Sequence, residues 1–70
     1  MEKIFIKTEY IKADQFLKYI SVVSSGSEAK MVIGEGRVAV NGEIIFQRGK
    51  KLRSGDEIVF DNKKYILSGQ

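Results

Sequence analysis

An α+β fold, two short helices followed by an antiparallel sheet, is what this chain predicts, and three observations carry it. Apolar residues fall at helical spacing between Ala13 and about Val22, and again after Ser25. From Arg37 onward they fall at the two-residue period of strands, beginning with Val38 and Val40. The doublet Asn41-Gly42 then gives the strongest short hairpin signal, because a type I′ turn needs positive φ at both central residues.

The elements follow in order. In "KIFIKT", Lys3 to Thr8, Ile4 and Ile6 alternate with Lys3, Phe5 and Lys7, the pattern of a strand with one buried face. Phe16, Leu17 and Ile20 make the apolar stripe of the first helix, with Asp14, Gln15, Lys18 and Ser21 opposite. Ser25 stands three residues before Glu28, the spacing of a capping box: the serine oxygen takes the amide at N3 and the Glu carboxylate reaches back to the N-cap amide. A second helix therefore starts at about Gly26, buries Ala29, Val32 and Ile33, and ends at Gly36 in the left-handed C′ position. Neither helix is long enough to stand alone, so each must pack. "RSGDEIVF" reads as a turn at Ser54-Gly55-Asp56 and a strand with Ile58 and Phe60 inward, and "DNKKYIL" as a tight turn and a return strand. No repeat or boundary divides the sequence, so residues 1–70 are expected to form a single domain.

Composition narrows the function classes. Seventy residues hide only about 60% of the surface exposed by the unfolded chain, so the core is thin. Cysteine and histidine are absent, which removes disulfides and makes a transition-metal site unexpected. With no paired acid and base at catalytic spacing among Asp14, Glu28, Glu43, Asp56 and Glu57, no enzyme, cofactor or small-molecule substrate is expected. The apolar patch at the N-terminus is three residues long and broken by Lys7, so neither a leader nor a membrane span is read there and a cytoplasmic location is expected. Twelve Lys and Arg against nine Asp and Glu give a charge of +3, which favours a polyanionic partner.

The run "KADQFLKYISVVSSGSEAKMVIGEGRVAVNGEIIFQRGKKLRSGDEI" resembles the S-four-type RNA-binding domain, or alpha-L motif, over about residues 12–60. The pieces "QFLK", "SGSEAK", "VNGE" and "RGKKLRSGD" look most like its small stand-alone YaaA-like members. The resemblance implies two packed helices against a small curved sheet, and a helix-and-hairpin surface that grips structured RNA. By position it implies an RNA-facing role for Lys12, at the start of the first helix, and for the segment Ser25, Gly26, Ser27 to Lys30. Gly26 departs from the family pattern, in which many members carry arginine; a bidentate phosphate fork is lost, while helix N-terminal amides are kept.

The residues themselves single out a second cluster. Arg48, Lys50, Lys51 and Arg53 fall within six residues without an intervening acid, and Gly49 and Gly55 bracket the run where backbone can approach a ligand. The cluster reads as a phosphate-facing loop rather than a lattice of self-paired ions. Lys30 and Arg37 extend it if the helix pair leans over the sheet; singly, each is better explained as a routine surface charge, Lys30 paired with Glu35 or solvated. Lys18, Lys63 and Lys64 read as solubilising charges. No row of exposed aromatics suggests single-strand binding, so shape and phosphate contact with folded RNA, with ribosomal RNA or the ribosome as the expected partner, fits better. The alternative is an adaptor that docks an acidic protein partner through the same basic stretch.

Overall fold

The alternation of Ile4 and Ile6 against Lys3, Phe5 and Lys7 becomes an edge strand in the computed structural model, which describes residues 1–69. Strand β1 (Glu2–Phe5) tucks Ile4 inward and is followed by buried Ile6, while Phe5 faces out. Its neighbour is the final strand, β7 (Lys63–Ser68), and the two run parallel from Glu2 opposite Tyr65 to Phe5 opposite Ser68. The sheet is therefore mixed, where a wholly antiparallel one was expected. Alternation fixes which face of a strand is buried and says nothing of its direction, whereas a parallel neighbour needs a long crossover, which here is most of the chain.

Helix α1 (Ala13–Tyr19) buries Ala13, Phe16 and Leu17 and stops about one turn before the expected Val22. A left-handed Ser21, at φ 64°, ends it: the Ser21 amide donates to the Lys18 carbonyl and the Val22 amide to the Leu17 carbonyl. That is a Schellman stop with serine where glycine is favoured. Val22 and Val23 then pack as linker, not helix.

Helix α2 (Gly26–Gly34) buries the expected Ala29, Val32 and Ile33 and closes in the same way at Gly36, φ 75°. Its capping box is shifted by one residue. The Ser25 hydroxyl accepts from the Glu28 amide at 3.1 Å, but the Glu28 carboxylate takes the amide and hydroxyl of Ser24 instead of the N-cap amide.

The hairpin forms as expected. Strands β3 (Val38–Val40) and β4 (Glu43–Ile44) are joined through Asn41 and Gly42, both at positive φ. Strand β6 (Glu57–Phe60) pairs with β3 and, through a second turn at Asp61-Asn62, with β7, giving the order β1-β7-β6-β3-β4. Asn41 also ties the hairpin turn to the Ser54-Gly55-Asp56 turn that precedes β6: its side chain accepts from the Glu57 amide and donates to Asp56. The inward faces of this sheet and of both helices share one buried cluster, with Phe16, Leu17, Ile33, Leu52, Ile58 and Leu67 its largest fully buried members. Phe16 meets Tyr65 edge to face, 5.9 Å between ring centres.

Candidate nucleic-acid interface

The basic stretch is part of the framework rather than a free loop. Strand β2 (Ile11–Lys12), immediately before α1, pairs antiparallel with β5 (Lys51–Leu52) in a separate two-stranded ribbon. The ladder continues into the helix, where the amides of Ala13 and Asp14 donate to the carbonyls of Lys50 and Arg48. The run of cations thus closes the N-terminus of α1 with its backbone, which α1 needs because Lys12 at the N-cap offers no oxygen.

Strand alternation sorts the ribbon's side chains. Ile11 and Leu52 face the core, Leu52 completely buried. Lys12 and Lys51 therefore share the outer face, directly opposite one another. Tyr10 and Arg53 continue that face at two-residue steps, and the Tyr10 ring gathers the charges: Lys51 Nζ lies 4.8 Å and the Arg53 guanidinium 5.7 Å from its centre. Among the described residues none of Lys12, Arg48, Lys50, Lys51 or Arg53 has an ion-pair partner. Like charges placed opposite in a ladder repel, and a cation at a helix N-terminus opposes the helix dipole. Lys12 bears both costs.

The brackets of the cluster differ. Gly55, at φ 94°, needs glycine for its turn, and the Arg53 amide donates to the Asp56 carboxylate there. Gly49 has ordinary backbone and open space beside it, so nothing local requires glycine.

Ser25, Gly26, Ser27 and Lys30 belong to the first turns of α2, and α1 contacts both α2 and β2. The position of Gly26 is open, with room for a side chain. Glu28 holds a negative charge at this helix start, its carboxyl drawn below the usual 4.5 chiefly by the Ser24 amide and then by the Ser24 hydroxyl. Lys30 is exposed and makes no ion pair with Glu35 among the described residues.

Arg37 leaves the expected patch. It binds Asp61 through two nitrogens, at 2.6 and 3.3 Å, reaches Glu35 at 3.2 Å and lies 5.3 Å from the centre of the Phe60 ring. Those hydrogen bonds raise its pKa and lower that of Asp61. Its charge is committed to pinning the turn of β6 and β7 to the end of α2.

Two features escaped the sequence reading. Tyr10 is the hub of the cationic face, and its place follows only from the β2–β5 pairing, which two-residue strands do not announce. The second is an open groove of about 710 Å³ in which Tyr10, Lys12, Gln15, Lys18 and Tyr19 come together. The helical spacing of Gln15, Lys18 and Tyr19 on α1 was the available signal.

The chain matches the family model of the S4 domain over residues 4–68. It is 46% identical over 55 residues to the "Probable ribosome maturation protein RlbA" of Bacillus subtilis (strain 168), covering 79% of this chain and 78% of that protein. The solution structure of YbcJ from E. coli, described as an AlfaL motif involved in RNA-binding, superposes with a TM-score of 0.72 and 25% identity, covering 97% of this chain and 87% of that one. The crystal structure of 30S ribosomal protein S4e from Thermoplasma acidophilum shares the fold at a TM-score of 0.64 and 19% identity, over 86% of this chain and only 32% of that one. With two packed helices on a small mixed sheet and a family match spanning almost its whole length, the chain belongs to the S4 domain family.

Proposed function

We propose that this domain is a non-catalytic module that grips structured RNA, with ribosomal RNA as its ligand, in the cytoplasm and chiefly through phosphate. The observation that carries the reading is the outer face of the β2–β5 ribbon, where Lys12 faces Lys51 and Arg53 joins them around Tyr10 without an acidic partner among the described residues. Local repulsion of this kind is relieved when a polyanion supplies the missing charge. Lys50, which borders one depression with Lys51 and Arg53, and Arg48 are further contacts in this reading, as are Ser25, Gly26, Ser27 and Lys30 of α2. The likeness to YbcJ and to the ribosome maturation protein supports RNA and the ribosome as the partner class.

The exposed Ile44 and Phe46 favour one second reading, an adaptor for an acidic protein, because they border the same depression as Lys50, Lys51 and Arg53. Pull-down from lysate with and without nuclease separates the two. The RNA reading expects co-purifying material to vanish with nuclease and with a folded Lys50→Glu, Lys51→Glu, Arg53→Glu variant; a protein partner that survives nuclease would overturn it.

A further inference from the structure

We infer that the groove between Tyr10 and Tyr19 holds one unpaired nucleobase of the bound RNA. The inference rests on the RNA-binding reading and names the part of the RNA that this side of the ribbon takes. The groove measures about 710 Å³ and is shallow, open to solvent over most of its extent. Two aromatic residues line it from opposite ends of α1: Tyr10 lies shortly before the helix and Tyr19 is its last residue.

Both rings are held in place before any ligand arrives. The Tyr19 hydroxyl donates to the Phe5 carbonyl at 2.9 Å, although the residue is 59% exposed. Lys51 and Arg53 steady the Tyr10 ring and do not line the groove. An exposed aromatic ring anchored at its polar end presents a π-face with little conformational entropy left to lose, the condition under which base stacking is favoured.

The polar groups fit a base better than a phosphate. Gln15 offers both a donor and an acceptor to a base edge, and the Glu9 carboxylate in the same wall would accept from an exocyclic amine and repel a phosphate. Lys12 and Lys18 stand where the flanking phosphates of a splayed nucleotide would pass. Unstacked bases set between aromatics are also how proteins read the irregular parts of folded RNA. The ligand class is therefore a helix interrupted by a bulged or otherwise unpaired nucleotide.

The test compares two RNA hairpins that differ only in a single bulged 2-aminopurine. Native protein is expected to prefer the bulged hairpin by about tenfold, the order that one stacked base contributes, and to change the fluorescence of the analogue. Tyr19→Leu, at an exposed position and checked for folding by circular dichroism, should bind the paired hairpin as native does and lose the preference. Tyr19→Phe, which keeps the ring but loses the hydroxyl bond to the Phe5 carbonyl, should retain the preference only in part. Equal binding of both hairpins by native protein overturns the base slot while leaving phosphate gripping intact, as does a preference that survives Tyr19→Leu. Binding to neither hairpin overturns both readings.

Discussion

Lys12 concentrates the conflict between folding and the proposed binding. It is the N-cap of α1, where a cation is disfavoured, and it lies opposite Lys51 in the ribbon. Removing its charge should help the free protein. Lys12→Gln is expected to raise stability by about 0.5 to 1 kcal/mol in urea unfolding, and to weaken RNA binding in the same preparation. A loss of both would mean that Lys12 has a structural task instead. The sequence already singled out Lys12, Lys51 and Arg53, yet their convergence was not legible, since it depends on two strands of two residues each, about forty positions apart, with too few residues to show a period. Arg37 was misplaced for a related reason. Its partner Asp61 is twenty-four residues away, whereas the nearby acid, Glu35, had been matched with Lys30.

At the scale of elements, local chemistry was read most faithfully where a single residue type is demanded. Asn41-Gly42 and Gly36 fix a turn and a helix stop because few other residues accept positive φ, and both formed as the sequence predicts. The stop of α1 was missed because serine rarely takes that role, and the apolar Val22 beyond it prolonged the apparent stripe. The start of α2 was found, with the Glu28 carboxylate bonded to Ser24. That arrangement has a pH signature. The Glu28 and Asp61 pKa values lie below their ordinary 4.5 and 3.8, so the folded state binds fewer protons than the unfolded chain in that window. Their stabilising effect is complete above about pH 5 and is lost as pH falls through the lowered values. Urea midpoints measured from pH 6 to pH 2.5 should decline below about pH 4.5, and Glu28→Gln should flatten part of that decline. An unchanged slope in the variant would contradict the cap geometry. Ser25→Ala, by contrast, should cost about 1 kcal/mol at neutral pH, read in the same unfolding assay.

Across the whole molecule, the S4 domain fold was legible because its order of helices, hairpin and closing strands is written in periodicity and turn residues along the chain. Strand direction was not, and the parallel pairing of β1 with β7 brings the two ends of the sequence into one sheet. The β2–β5 pairing and the bonds from the Ala13 and Asp14 amides hold the backbone that carries Lys12, Lys50 and Lys51, and α2 packs against α1. The proposed phosphate contacts should be read most directly in counterion release. The decisive measurement is the affinity of native protein for a structured ribosomal RNA fragment as a function of salt, beside the folded Lys51→Gln variant. With about four phosphates neutralised, log affinity should fall against log salt with a slope of about −3 to −4, and the variant should be shallower by about 1. A native slope near zero, or one that Lys51→Gln leaves unchanged, would contradict the assignment of the ribbon as the phosphate-gripping surface.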